Sequence, residues 1–375
     1  MHNIFLLAGR TGGPFFPLPT IAQNLPNYNP IYIGVKNSFE QKICTQNNWK
    51  LEFLPEVKLS ILSFKNQTFG EKIINLFLVF LDIFRLGFSF AKSLFLLLKY
   101  QPKLIVSTGS FLAVPIIFSV KITNFFGFTK CKILVHQQDP LPGLANRLTV
   151  GLADLSSCVF EYTKSNFKKF SKAFLTPNPI DQKKYNQIRQ ESLSKIQKVN
   201  PELYNFIQSK STKPILFIFG GGGGAEAINQ WLIKNLDELL LDFKIIHLTG
   251  ILQTKKFEVK KANYFQAKVF VAEMIPVLSL SDLVICRAGL ASITELEYLS
   301  KPAFLVPLPD SHQELNAELV KIKFGILQQK NISGWLSQIK TEYAKIATKQ
   351  NFSSQLQIQQ KLQNYYQKIK NMLDK

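Results

Sequence analysis

SDLVICRAGLASITELEYLSKPAFLVPLPDSHQELN, residues 281–316, decides the fold. Residues 283–286 (LVIC) are a short apolar run, the length of a buried strand. Ala288-Gly289 predicts a tight turn, residues 291–298 a helix, and residues 303–306 (AFLV) a second buried strand. Arg287, Glu295, His312, Gln313 and Asn316 lie in the polar, small-residue segments that follow these strands. In an open parallel sheet, ligands bind outside the carboxyl ends of the strands. The stretch therefore aims a cluster of hydrogen-bonding side chains at one crevice and predicts a site for a polar ligand.

The chain has 375 residues, room for two domains of ordinary size. Hydrophobic residues make up 46% and charged residues 19%, which supports a large core and excludes global disorder. The net charge of +20 fits a nucleic acid, an anionic membrane face or a phosphorylated substrate. Part of it also fits drift toward Lys, Asn, Phe and Ile, as A+T-rich genomes produce. The basic residues are scattered and lack aromatic platforms, which argues against nucleic acid. Cys44, Cys131, Cys158 and Cys286 have no metal-type spacing, so no metal site is expected. Three of them sit in or beside apolar runs and read as reduced packing residues of a cytosolic protein. The first apolar run, residues 4–8, is too short for a signal peptide and leads into a glycine turn, as a first strand does.

Outward from the opening stretch, strand and helix alternate. Strands are expected at residues 4–7, 31–35, 104–106, 133–135, 215–219 and 244–247. Such alternation implies parallel sheets with right-handed crossovers. Residues 181–213 are rich in Lys, Gln and Ser and read as a linker plus one surface helix. The expected organisation is therefore an N-terminal domain over 1–180 and a C-terminal domain over 181–345. A Lys- and Gln-rich terminal amphipathic helix, about 346–375, packs back on the first.

Residues 73–98 are almost all Leu, Phe, Ile and Val. Their length invites a transmembrane reading, but Asp82 and Arg85 at mid-span are costly in lipid, and Gly87 suggests a break into two helices. A buried crossover is one alternative. The other is an interfacial surface that dips Phe77, Phe80 and Phe84 into a membrane while Lys and Arg meet anionic head groups. The loop KITNFFGFTK (121–130) supports the second, because Phe125, Phe126 and Phe128 between lysines are costly to expose to water.

Three strand-to-helix turns are glycine-rich: residues 9–13, 108–110 and 220–224. Glycine permits positive φ and close approach of backbone to ligand, and the helix start that follows suits phosphate. The five glycines of 220–224 are the strongest of these signals for a diphosphate. Residues 9–13 do not spell the dinucleotide fingerprint, and no acidic residue ends the second strand, so a nicotinamide cofactor is not expected. Glu295 has two readings. Ser292-x-x-Glu295 has the form of a capping box, in which the Glu serves backbone N–H groups. Alternatively the carboxylate accepts both hydroxyls of a ribose.

GRTGGPFFP, STGSFLAVP, HQQDPLPGLANR, LTPNPI, FGGGGGAEAIN, FVAEMIPVLSLSDLVICRAGLASITEL and LPDSHQELNA resemble, in that order and spacing, the motifs of the MurG family. The resemblance covers nearly the whole chain. HQQDPLPGLANR and RAGLASITEL with HQELNA are its specific parts. It implies an α/β fold of GT-B type, two Rossmann-like domains with parallel sheets facing across an interdomain cleft. It also implies an inverting, metal-independent transfer of N-acetylglucosamine from UDP-GlcNAc to lipid I, the undecaprenyl-diphosphate-linked muramyl-pentapeptide. The enzyme would need no cofactor and would work as a peripheral protein on the cytoplasmic face of the membrane, giving lipid II for peptidoglycan.

By position, the resemblance puts the uracil at the Val271 backbone and Met274. Glu295 takes the ribose, Leu290, Ala291, Gly289, Gly221, Gly222 and Gly224 the diphosphate, and His312, Gln313 and Asn316 the sugar, with Arg287 also on the donor side. Thr11, Gly12, Gly13, Thr108, Gly109, Phe111, His136, Asp139 and Asn146 surround the lipid-linked acceptor. The departures lie mostly in the acceptor half. Arg10 and Pro14 replace a Gly and a His of the family's first turn, HEQN is here HQQD, Asp181 replaces a basic residue, and Gly222 a Ser. With Pro14 unable to take a proton, Asp139 or His136 is the expected general base. Two alternatives stay open: a related transferase with another lipid acceptor, and a non-catalytic UDP-sugar-binding protein.

Overall fold

The computed structural model describes every residue except 8, 10, 11, 56–68, 222, 252–258, 271, 272, 349–352 and 375. The chain divides into two compact units: residues 1–179 with 361–375, and residues 180–360.

The first unit is built on a seven-stranded sheet. Its strands are β1 (His2–Leu7), β2 (Tyr28–Gly34), β3 (Leu51–Phe53), β4 (Leu104–Ser107), β5 (Lys132–Gln137), β6 (Leu155–Cys158) and β7 (Phe174–Leu175). Their order is β3-β2-β1-β4-β5-β6-β7, and every pairing is parallel. The second unit holds six strands: β8 (Ile215–Phe219), β9 (Lys244–Leu248), β10 (Tyr264–Ala267), β11 (Leu283–Arg287), β12 (Ala303–Val306) and β13 (Gly325–Ile326). Their order is β10-β9-β8-β11-β12-β13, again all parallel. All four residues of β4 and of β12 are buried. Helices cover both faces of such a strand, so an uninterrupted apolar run rather than alternation encodes it. Each unit has its own core. Phe5, Ile33, Ile105, Ile117 and Ile133 pack in the first. In the second, Trp231 and Trp335 meet with ring centroids 5.2 Å apart beside Ile218, Ile285 and Phe304.

Two expectations need correction. Gly87 breaks no helix: Phe69–Tyr100 is one helix of 32 residues. A Cβ on Gly87 would meet nothing within 4 Å, so the glycine marks open surface rather than a bend. Residues 182–208 are not a linker with one helix but three helices, Gln182–Gln190, Ser192–Val199 and Pro201–Gln208. Sparse but correctly spaced Tyr185, Ile188, Ile196 and Leu203 are buried and hold them to the second unit. No helix among the described residues is long and apolar enough to cross a membrane.

The helix Phe69–Tyr100 has a buried face and an exposed one. One face is a crossover: Ser89, Ser93, Leu96 and Leu97 are buried, and buried Asp82 pairs with Arg85 at 3.3 Å. The other face leaves Phe84 71% exposed, with Phe88 and Phe95 beside it. Phe77 and Phe80 lie on the same helix, their side chains outside the described part. On the helix Ala113–Phe125 and the turn after it, Phe125 is 84% exposed and Phe126 and Phe128 are also exposed. All four cysteines are buried and free.

Candidate active site

Both sheets reverse direction at a switch point, β1/β4 in the first and β8/β11 in the second. The loops leaving the carboxyl ends of those strands flank the crevice where open α/β sheets bind ligands.

In the second unit the loops are bound to one another. Gly250, after β9, packs so closely on the glycine turn that a Cβ there would lie 2.2 Å from Gly224 Cα. A Cβ on Gly220 would lie 2.3 Å from the Ala225 nitrogen. Gly221 and Gly224 adopt φ of 87° and 89°. Packing at Gly220 and a positive φ at Gly221 and Gly224 thus favour glycine there whether or not a ligand approaches. Behind the turn, Asn229 donates from Nδ2 to the Thr249 carbonyl at 2.9 Å. Its Oδ1 lies 3.0 Å from His247 Nε2, whose Nδ1 is 2.8 Å from the Tyr264 hydroxyl. This buried chain sets the height of the 249–250 loop under the glycines.

Gly289 caps the helix Leu290–Leu299. Asn316, fully buried on the helix His312–Val320, donates from Nδ2 to the Ala288 carbonyl at 3.1 Å. Arg287 Nη1 donates to the Val306 and Pro307 carbonyls at 3.3 and 3.2 Å and to Gln329 Oε1 at 2.9 Å. Arg287 thus clasps the loop after β12 through one guanidinium nitrogen. Gln313 Oε1 accepts from the Leu308 N–H at 3.2 Å, and His312 at the helix start is exposed. Leu290 is buried and Ala291 and Met274 are half-buried. Val271 and Gly222 lie outside the described residues.

The capping-box reading of Glu295 fails. Gly289 is the cap, so Ser292 is the third helical residue and Glu295 sits a turn further on. Its Oε1 instead accepts a hydrogen bond from the Tyr185 hydroxyl at 2.7 Å. Burial raises the carboxyl pKa, while the Tyr185 hydrogen bond and the Lys184 charge oppose that rise. No sequence signal marked Tyr185.

In the first unit, Thr108 Oγ1 donates to the Pro14 carbonyl at 2.6 Å and Gln138 Nε2 to the Thr108 carbonyl at 3.4 Å. Asn146 Nδ2 donates to Gln137 Oε1 at 2.6 Å. Gly109, at φ 118°, would bring a Cβ to 3.7 Å from that same Nδ2. The three loops after β1, β4 and β5 are thus tied together, with Gly13 exposed, Phe111 half-buried and Asp139 half-buried on the third. Gly12 opens the helix Gly12–Phe15; Thr11 lies outside the described residues.

His136 is not placed to be a base. It is fully buried, with Nδ1 2.9 Å from the Ser157 hydroxyl and Nε2 3.2 Å from Asn178 Oδ1. Ser157 in turn lies 3.2 Å from the Tyr365 hydroxyl. Burial lowers the His136 pKa from 6.5 to about 4, and that of His247 to about 3. Unfolded, each binds a proton near pH 6.5; folded, neither does until far lower. Their stability contribution is therefore complete above about pH 6.5 and falls as pH drops toward 4 and 3, by about 1.4 kcal/mol per pH unit for each histidine. Urea unfolding at stepped pH should show this slope, and His247→Gln should flatten it in the second unit.

Residues 4–155 match the glycosyltransferase family 28 N-terminal domain, and residues 215–372 the family 28 C-terminal domain. A Borreliella burgdorferi protein is 30% identical over 311 residues, covering 81% of this chain and 76% of that protein. It is named UDP-N-acetylglucosamine–N-acetylmuramyl-(pentapeptide) pyrophosphoryl-undecaprenol N-acetylglucosamine transferase. The chain belongs to the MurG family. A protein of the same name from Caldanaerobacter subterraneus is 27% identical over 351 residues, covering 89% of this chain and 88% of its own. The crystal structure of Acinetobacter baumannii MurG superposes with TM-score 0.70 at 17% identity, covering 99% of this chain and 100% of that one. UDP-GlcNAc 2-epimerase from Neisseria meningitidis, bound to UDP-GlcNAc, superposes with TM-score 0.63 at 16% identity, covering 100% and 99%. These two likenesses show the fold, which is that of a GT-B glycosyltransferase.

Proposed function

We propose that the chain transfers N-acetylglucosamine from UDP-GlcNAc to a muramyl hydroxyl of polyprenyl-diphosphate-linked lipid I, giving lipid II and UDP. The observation that carries this reading is a set of loops packed in pairs at the carboxyl edge of one sheet, after β8 with after β9 and after β11 with after β12, with Glu295 on the helix that follows β11. That edge offers what a nucleotide sugar needs. Helix N–H groups after Gly289 and the glycine turn meet the diphosphate, and the Glu295 carboxylate accepts the ribose hydroxyls.

The acceptor hydroxyl attacks the anomeric carbon in line. The bond from that carbon to the phosphate oxygen breaks, its electron pair leaves with UDP, and configuration inverts. The hydroxyl proton passes to a base, and helix N-termini stabilise the leaving diphosphate without a metal. With His136 buried, Asp139 is the base. Asp139→Asn should lower kcat by about 100- to 1,000-fold with little change in UDP binding. Full activity in that variant would remove Asp139 from the role. With sugar-labelled donor and a short-chain lipid I analogue, the label should move to the lipid as a β-linked disaccharide. Label appearing on a diacylglycerol instead would favour a different acceptor.

The apolar faces carrying Phe84, Phe88, Phe95, Phe125, Phe126 and Phe128, with Lys121 and Lys130 nearby in sequence, support peripheral attachment to an anionic membrane, on its cytoplasmic side where the donor is available. Replacing Phe125, Phe126 and Phe128 together by Ser should weaken binding to anionic vesicles roughly 100- to 200-fold, about 1 kcal/mol per partly inserted ring. Flotation with vesicles of graded anionic lipid content reads this out.

A further inference from the structure

We propose that Tyr185 is a positioning residue for the donor: its hydroxyl fixes one oxygen of Glu295 and leaves the other to the two ribose hydroxyls. The inference rests on the reading of Glu295 as the ribose ligand and extends it to a residue outside the family motifs.

The geometry is specific. Tyr185 Oη donates to Glu295 Oε1 at 2.7 Å across 110 positions of sequence. Among the described residues, no other group donates to that carboxylate. The phenol itself is held in place. Tyr185 is 8% exposed, and its ring meets Tyr298 edge-on at 5.8 Å and 83°. Tyr298 Oη donates to Asn186 Oδ1 at 3.0 Å and lies 3.4 Å from the Gln182 carbonyl, tying it to the helix that carries Tyr185. Asp181 caps the start of that helix, its Oδ1 accepting the Lys184 N–H at 3.0 Å.

Chemistry gives this arrangement a purpose. An ionised carboxylate has two acceptor oxygens and about four lone-pair sites. Left alone on a helix surface, it samples several rotamers, and each must be given up when a ligand binds. Tyr185 removes that freedom in advance. The remaining oxygen has two lone pairs, which match the two donor hydroxyls of a vicinal diol. A 2′-deoxyribose offers one hydroxyl fewer. The same bond also supports the charged form of Glu295 against the cost of burial. The other groups facing the carboxylate are Lys184, from the helix of Tyr185, and the Cys286 thiol on β11. Burial pushes both the thiol and the phenol upward, so they stay neutral while Glu295 titrates.

The test is calorimetric titration of the full-length protein with UDP and with 2′-deoxy-UDP, across about pH 5 to 8, for wild type, Tyr185→Phe and Glu295→Gln. Tyr185→Phe keeps the ring against Tyr298 and removes only the hydroxyl, and a thermal melt confirms that it folds. We expect it to bind UDP about 5- to 10-fold more weakly, the effect of one charge-assisted hydrogen bond acting through a neighbour. It should also prefer UDP over 2′-deoxy-UDP less than wild type does, and its acid limb of UDP affinity should move to higher pH. The direction follows because Glu295 binds the diol when ionised, and losing a hydrogen bond to the ionised form raises its pKa further. If Glu295→Gln weakens UDP while Tyr185→Phe matches wild type in affinity, preference and acid limb, the role of Tyr185 is overturned and that of Glu295 stands. If Glu295→Gln binds both nucleotides as wild type does, the ribose reading itself is wrong, and the positioning role falls with it.

Discussion

Glu295→Ala should raise the KM for UDP-GlcNAc by roughly 100-fold, the loss of two hydrogen bonds to a charged acceptor at about 1.5 kcal/mol each. The fall in kcat should be much smaller, because the ribose is remote from the breaking bond and its contacts are made equally in ground and transition states. Stability should move little. The substitution leaves the Tyr185 hydroxyl without its acceptor, which costs, but it also removes a carboxylate whose pKa is raised by burial, which relieves. Steady-state kinetics with donor varied at fixed lipid acceptor, beside a urea unfolding curve, separates the two effects. A variant with unchanged KM but lowered stability would make Glu295 a partner of Tyr185 and nothing more.

Gly250→Ala should disable the second unit through its backbone. The added Cβ would stand 2.2 Å from Gly224 Cα, 2.3 Å from Gly224 N and 2.6 Å from Gly223 C. These are main-chain atoms, which cannot swing aside as a side-chain end can. The residue also sits at φ 96°, where an L side chain is strained. We expect a loss of about 3 kcal/mol or more in stability. UDP affinity should fall at least about 10-fold, because the diphosphate turn must shift to admit the methyl. Gly221→Ala is the control. Its φ of 87° is strained, but its Cβ would meet nothing within 4 Å. Only the conformational penalty of about 1–2 kcal/mol should appear there. Equal losses in the two variants would mean that the contact between the 249–250 loop and the glycine turn is not what holds the turn.

Much of this fold is legible in the sequence because its central strands are buried on both faces and so appear as unbroken apolar runs. β8, β11 and β12 stand out this way. The edge strands do not: β7 and β13 have two residues each and β3 three, too few for any periodicity to register. The helices over 182–208 are missed for a related reason. Four buried side chains among many Lys and Gln are enough to seat them, yet they leave the segment polar on average. At the site, residue identity is legible but side-chain direction is not. His136 stands one residue from the end of a strand, where one step in register decides between cleft and core, and the structure buries it against Ser157 and Asn178. For Arg287 the sequence shows a cation at a strand end but not that its Nη1 spans to the Val306 and Pro307 carbonyls. Tyr185 could not be found, because its bond to Glu295 joins segments that only the tertiary fold brings together.

UDP release from UDP-GlcNAc, measured with and without a short-chain lipid I analogue, separates transfer to the lipid from donor binding alone. Release should depend on the analogue, with one disaccharide-bearing lipid formed per UDP, and should be lost in Asp139→Asn. Donor binding with no acceptor-dependent release, or UDP freed at the same rate without the analogue, would contradict transfer to the lipid.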